Sequence, residues 1–352
     1  MSKNGRLTSA DRSGIAGKFA FVVPVVHPKG NKVSDYSVVE RALKETLGSY
    51  TRQDAQNVVV IVVCHRIPAW ADEFRGRVRF IRIGPHPRFE ANANDVQIDK
   101  GMKYALGSVL AISVEKASFV MLADGDDFVR ADLARYIFSR DLGDHDGFVI
   151  RQGFNALINV TQDRFRIVQL FRMQDFDRTC GTCRIFSRTA LARELERLDP
   201  DILTWGDKLT LSEDGLEISP DSTVLDHLWK ITEPVTNELY GIIRILGRHD
   251  RYGRVFDLLP LSEPLAGKAC GHGNHDGPER GGVRWSGVRG CASGTEFVER
   301  FGLTGGTIEV GGVEPGLWLR GTAVGAFNRV RKLLNIDFSY ERKHAMGLKP
   351  VK

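Results

Sequence analysis

At 352 residues, 42% hydrophobic and 26% charged, the chain has the composition of a soluble globular protein and the length for one large α/β domain or two ordinary ones. Its net charge of +5, from 49 basic and 44 acidic residues, is too mild for a nucleic-acid footprint, so no nucleic-acid partner is expected. A core of this size needs no disulfide staples, and five cysteines, an odd number in a long chain, point to a reducing, cytoplasmic compartment.

Residues 1–17 are polar and read as a flexible terminus. The run "FAFVVPVV" (19–26) contains Pro24, is too short to span a bilayer and lacks a signal-peptide cleavage pattern. That run and "VVVIVV" (58–63) are continuously β-branched or apolar, as strands buried on both faces of a parallel sheet are. Between them, Ser34 is placed to cap a helix on which Val39, Leu43 and Leu47 recur at four-residue spacing. Strand, helix, strand predicts a right-handed crossover. "RVRFIRI" (77–83) reads as a third strand, and Asp99 is placed to cap a helix running through "KGMKYALGSVLAISVEKA".

A further strand, "SFVMLA", then delivers Asp124, Asp126 and Asp127. Three aspartates in four residues repel one another unless a cation sits among them. Asp and Gly also make ordinary solvated turns. The position favours a metal: ligands of open α/β sheets gather outside the carboxyl ends of strands. Mg²⁺ and Mn²⁺ prefer oxygen donors and take one or two carboxylates plus phosphate oxygens. Asp124 and Asp126 share a face of an extended segment, with Gly125 permitting close approach between them.

After residue 145 the alternation weakens. "DGFVIRQGFNALINV" and "RFRIVQLF" read as strands, antiparallel in pattern, and "RTALARELERL" (188–198) as a helix. The span 266–320, with "GKACGHGNHDGPERGGVRWSGVRG", reads as a glycine-rich loop or lid. In the basic segment 321–352, Val324, Phe327, Val330 and Leu334 share one face, with Arg329, Arg331 and Lys332 elsewhere. That segment either packs on the core or makes peripheral contact with a membrane.

Here the residues carry a resemblance. "FAFVVPVVHP", "LKETLGSYTRQDAQNVVVIVVCH" and "DKGMKYALGSVLAISVEKASFVMLADGDDFV" are similar to the opening strand and nucleotide loop, first helix and second strand, and basic helix leading to a D-x-D strand of GT-A-fold glycosyltransferases, the bacterial family-two group above all. The resemblance covers about residues 18 to 230. It implies a Rossmann-like mixed α/β sheet with flanking helices, in which 18–130 form the nucleotide-sugar half and 131–265 the acceptor-side half of one domain. It also implies a nucleotide-sugar donor, uridine diphosphate sugars foremost, a Mn²⁺ or Mg²⁺ ion, and transfer of a hexose to a saccharide or lipid-linked saccharide hydroxyl. Such enzymes assemble surface polysaccharide or glycolipid.

Carried over residue by residue, the resemblance puts Pro24, Val25 and Asp99 against the nucleotide and Lys100 and Lys103 against its phosphates. His65, preceded by Cys64, stands where the family often has an acidic base-binding residue. "RTCGTCRIFSR" is similar to the family's glycine loop, where Gly181 and Thr182 reach the sugar. Its C-x-x-C spacing also admits zinc, with Cys270, His272, His275 or Cys291 completing the set, but no second C-x-x-C exists. "STVLDHLWK" resembles the segment that supplies the base in inverting relatives: Asp226 matches the aspartate, and Leu225 replaces the usual glutamate. Glu213 and Asp214 stand in reserve. Among the late histidines, His272 is the expected third metal ligand, with His275 and His249 as alternatives. Two other classes fit less well: a sugar-phosphate nucleotidyltransferase, whose basic glycine signature "PVVHPKGNK" renders poorly, and a non-catalytic nucleotide- or carbohydrate-binding protein. No G-x-G-x-x-G follows the first strand, which argues against a dinucleotide dehydrogenase.

Overall fold

The structure, a computed structural model, describes residues 17–30, 33, 35–84, 93–161, 164–212, 217–220, 223, 224, 226, 227, 246, 255–270, 288–303, 308–310, 323 and 326. In chain order the elements are β1 (Phe19–Pro24), α1 (Tyr36–Thr51), β2 (Val58–Cys64), β3 (Val78–Arg82), α2 (Ala93–Val109), β4 (Phe119–Leu122), β5 (Phe128–Val129) and α3 (Leu133–Phe138). There follow β6 (Gly147–Ile150), β7 (Gln152–Val160), β8 (Phe165–Gln174), β9 (Arg184–Ser187), α4 (Arg188–Glu196), β10 (Leu209–Leu211) and β11 (Glu217–Pro220). The last are β12 (Leu258–Leu261), β13 (Ala266–Cys270), β14 (Val288–Ala292), α5 (Gly294–Arg300) and β15 (Ile308–Val310).

Two sheets result. The larger runs β10-β11-β3-β2-β1-β4-β9-β6-β12. Its centre is parallel, and β9 lies antiparallel between β4 and β6. The smaller runs β14-β8-β7-β13-β5, with β15 beside β8. This is the mixed α/β sheet with flanking helices expected from the sequence.

The apolar runs explain the centre. In β1, Phe19, Phe21 and Val23 share a core with Leu43 and Leu47 of α1. Ala20 and Val22 pack with Met102 and Leu106 of α2. A strand clad by helices on both faces has no polar face, so alternation disappears from its sequence. Gly107 lets α2 approach: a Cβ there would stand 2.3 Å from Val22 Cγ1.

Several local expectations shift. Asp35, not Ser34, is the N-cap of α1, its carboxylate accepting from Ser37 N at 2.8 Å. Helix α2 already begins at Ala93, so Asp99 lies inside it and is not its cap. Within the span read as a lid, 266–270, 288–292 and 308–310 are strands of the smaller sheet and 294–300 is a helix. Residues 271–287, and with them His272 and His275, lie outside the described residues, as do His249, Glu213, Asp214, Leu225 and 327–352. Among the described residues no helix is long and apolar enough to cross a membrane.

Candidate active site

Strand β4 is wholly interior except at its start, and its register beside β1 carries the chain to the carboxyl ends of both. There it turns through Asp124–Gly125–Asp126–Asp127 and enters β5 of the other sheet. The aspartate turn is therefore the joint between the two sheets. Ligand oxygens of Asp124, Asp126 and Asp127 all lie within 4.8 Å of one another. Asp124 and Asp126 are partly exposed, and Asp127 is buried.

Each carboxylate has a distinct setting. Asp124 Oδ1 accepts the Tyr104 hydroxyl at 3.0 Å and faces the Lys100 ammonium at 2.5 Å. Its backbone is pinned twice: Asp124 N donates to Thr182 Oγ1 at 2.8 Å, and Asp124 O accepts from the Tyr50 hydroxyl at 2.9 Å. Asp127 Oδ2 accepts from Thr182 Oγ1 at 2.7 Å and Cys180 Sγ at 3.2 Å, and Oδ1 from Ala269 N at 3.1 Å. Burial, then the neighbouring charges of Asp126 and Asp124, push the Asp127 carboxyl up to about 8. Asp127 thus ties the turn to the 180–182 loop and to β13, while Asp124 and Asp126 face outward.

This donor set fits a hard divalent cation: three carboxylates converge, and an ammonium already stands on one of them. Gly181 is part of the fit. A Cβ there would come within 2.5 Å of Asp124 Oδ2, so only glycine lets the carboxylate lie against this loop. Gly181→Ala is expected to turn Asp124 away and to weaken Mn²⁺ binding at this turn by about 10–100-fold in a titration with the ion. Thermal melting checks that the fold is retained, because the clash can be relieved by one side-chain rotation.

A second group sits at the ends of β1 and β2. Lys103 is fully enclosed; its ammonium donates to Val25 O at 2.7 Å and Asp99 Oδ2 at 2.5 Å. His65 lies between Ile83 O at 3.0 Å and Asp99 Oδ1 at 2.9 Å. Each ring nitrogen thus has one protein oxygen within hydrogen-bond reach. Burial raises the Asp99 carboxyl, but Lys103 and His65 outweigh it and hold it below the usual range. Beside His65, at 4.4 Å between ring centroids, lies His27, whose Nδ1 accepts from Lys29 N. Burial, with His65 next, lowers the His27 pKa to about 4, so this ring is neutral.

The structure therefore divides the residues singled out in the sequence. Lys100, Asp124, Gly181 and Thr182 meet at the aspartate turn. Val25, His65, Asp99 and Lys103 form a buried knot behind it, with Pro24 closing β1. Both nitrogens of His65 and the ammonium of Lys103 already serve protein atoms, which suits them to holding the end of β1 rather than touching a ligand directly. Asp226 is exposed on a helical turn anchored where the His227 ring stacks on Trp205 at 5.7 Å. Among the described residues no hydrogen bond or ion pair ties it to the aspartates. The Cys180 and Cys183 thiols are buried, donate to Asp127 and to Cys180 O, and are pushed upward by burial first. Neither joins a metal-ligand cluster among the described residues.

Sequence reading missed Tyr50, Tyr104, His27 and Lys268. Tyr104 follows Lys100 by four residues, so helical spacing alone puts it on the same face. Lys268 donates to Thr179 O at 2.9 Å. Burial lowers its pKa, but Cys270, Cys180, Asp127 and Asp126 together hold it above the ordinary lysine value.

Asp127 predicts a pH dependence. Its carboxyl titrates higher in the folded chain than in the unfolded one, so the folded state binds the extra proton. Its contribution to the stability of the metal-free protein is then greatest below the ordinary carboxylate range and falls as pH rises to about 8. Asp127→Asn, which imitates the protonated acid, is expected to flatten that decline in melting temperature between pH 5 and 8, both read in EDTA.

No family model matches the chain, and no curated protein matches it. Solved structures do. S. aureus TarS is 14% identical over 72% of this chain and 37% of its own, with a TM-score of 0.35. The apo-form glycosyltransferase GlyE of Streptococcus pneumoniae TIGR4 is 14% identical over 70% of this chain and 45% of its own, TM-score 0.31. Galactosyltransferase LgtC, in complex with donor and acceptor sugar analogs, is 14% identical over 86% of this chain and 99% of its own, TM-score 0.33. The chain thus spans less than half the length of the first two. At such scores the likenesses carry no functional weight, which rests on the chain's own residues. Those residues build a mixed α/β architecture, with a carboxylate turn at the carboxyl end of β4.

Proposed function

We propose that the chain is a metal-dependent glycosyltransferase, moving a hexose from a nucleotide-diphosphate donor, UDP-sugars first, to a saccharide or lipid-linked saccharide hydroxyl. The observation that carries this reading is the convergence of Asp124, Asp126 and Asp127 within 4.8 Å at the joint between the two sheets.

Asp124 and Asp126 would hold Mn²⁺ or Mg²⁺, with His272 as the further ligand. When bound, that ion supplies positive charge against the diphosphate as the glycosidic bond breaks. Lys100, which faces Asp124, would turn onto a phosphate oxygen. Tyr104 and Thr182 fix the Asp124 carboxylate and backbone, so the site needs little rearrangement as charge develops. The knot of Lys103, Asp99 and His65 holds the end of β1 at Pro24–Val25, against which the nucleotide would lie. Asp226 is assigned as the base that takes the acceptor proton, giving inversion; such a group contributes ~10²–10⁴-fold.

Incubation with UDP-hexoses and a saccharide panel tests the reading. Release of UDP coupled to a new glycoside is expected. Release of pyrophosphate from nucleoside triphosphate and sugar phosphate would make the chain a nucleotidyltransferase instead. Asp226→Asn is expected to lower turnover within the range given for the base and leave donor affinity unchanged; equal turnover removes Asp226 from the mechanism.

A further inference from the structure

Strand β13 is registered to the aspartate turn through Ala269 N, which donates to Asp127 Oδ1 at 3.1 Å. Lys268, one residue earlier, sends its ammonium to Thr179 O at 2.9 Å. Thr179 adjoins the 180–182 loop, whose Cys180 and Thr182 side chains both bond Asp127 and whose Gly181 lies against Asp124. Lys268 thus reaches the turn from the smaller sheet. Lys100 reaches it from α2, which packs on the larger sheet, and faces Asp124 Oδ1 at 2.5 Å. The carboxylates are served by one ammonium from each sheet.

Lys268 differs from the sealed Lys103. The Lys103 ammonium is fully enclosed and matched by the Asp99 carboxylate and Val25 O. Lys268 is only partly buried. Among the described residues its one hydrogen bond goes to a neutral carbonyl, and no carboxylate stands in ion-pair contact with it. An ammonium has three N–H donors, so two are left for other acceptors. Asp127 and Asp126 act on this charge from beyond contact distance, and the Asp127 oxygens are taken by Thr182, Cys180 and Ala269 N. A charge drawn half out of water beside a neutral carbonyl is costly unless an anion joins it. Charge balance says which anion. A divalent ion cancels Asp124 and Asp126. A nucleoside diphosphate ester then brings two ionised oxygens, and Lys100 and Lys268 bring the two charges that match them. A neutral saccharide hydroxyl would leave Lys268 unmatched.

We propose that Lys268 is a phosphate-binding residue, its ammonium taking an oxygen of the donor diphosphate from the smaller-sheet side of the turn. The proposal rests on the transfer reading, and its test keeps the two apart. Calorimetry on the full chain measures three affinities: Mn²⁺ alone, UDP with Mn²⁺, and inorganic pyrophosphate with Mn²⁺. Lys268→Met is expected to weaken both phosphate ligands by about 10–100-fold, the worth of a charge-assisted hydrogen bond. It is expected to bind Mn²⁺ alone as tightly as the parent or more tightly, because a positive charge near the carboxylates has gone. That split separates a ligand contact from a prop. If Lys268 only held the loop at Thr179, its loss would loosen Asp124 and Asp127 and weaken Mn²⁺ as well. Mn²⁺ affinity that falls in step with the phosphate ligands, or unchanged affinity for UDP and pyrophosphate, overturns the proposal. So does a parent that takes up neither phosphate ligand. Pyrophosphate bound by the parent and lost with Lys268, with no uptake of UDP, would strike the donor reading and leave the phosphate contact standing. Should Lys268→Met fail to fold, Lys268→Gln carries the same comparison: weaker phosphate binding with Mn²⁺ affinity kept supports the contact, and equal phosphate binding overturns it.

Discussion

Asp124→Asn is expected to lower turnover of a UDP-hexose by about 10²–10³-fold while leaving the melting temperature near that of the parent. The substitution removes one negative charge and little else. Asparagine's oxygen can still accept the Tyr104 hydroxyl, and the backbone bonds to Thr182 and Tyr50 do not involve the side chain. What disappears is the charge that attracts both Lys100 and a divalent ion. Steady-state kinetics across Mn²⁺ concentrations separates the contributions: a raised metal requirement reports lost ligation, and a lower plateau reports misplacement of the diphosphate. Unchanged kinetics at every metal concentration would remove Asp124 from the site.

The second large effect concerns stability. Lys103→Met is expected to destabilise the fold by about 3–5 kcal/mol, because removing one partner of a buried pair leaves the other charge uncompensated. Lys103 is fully enclosed, and among the described residues the Asp99 side chain would retain only His65. Val25 O would also lose its donor. The companion Asp99→Asn in the same chain should recover much of the loss, since no unpaired charge then remains. Urea unfolding of both single variants and the double gives the coupling directly. Additive losses would show that the pair is not coupled.

The central strands and the aspartate turn were legible because their signals are local. Burial on both faces writes β1, β2 and β4 as unbroken apolar runs, and the carboxylates follow β4 without a gap. The roles of Lys100 and Lys103 were not separable. Both lie on α2, yet one reaches the aspartates and the other is sealed against Asp99 and the end of β1. The apolar stripe around position 103 was a hint that this lysine points inward with a partner. Strand β13 was hidden for a different reason. "AGKAC" lacks β-branched residues, and its conformation is imposed by pairing with β7 and β5, far away in sequence. With it went Lys268 and the contact of its neighbour Ala269 to Asp127.

The central claim is that a divalent ion links Asp124 and Asp126 to the donor diphosphate. Melting temperature should be measured with Mn²⁺ alone, UDP alone and the two together, for the parent and for Asp126→Ala. A ligand at 100 times its dissociation constant stabilises the native state by about 2.7 kcal/mol. The account predicts that, in the parent, the two together raise the melting temperature by more than the sum of their separate effects, and that the excess vanishes in Asp126→Ala. Strictly additive shifts in the parent, or the same excess in Asp126→Ala, would contradict it.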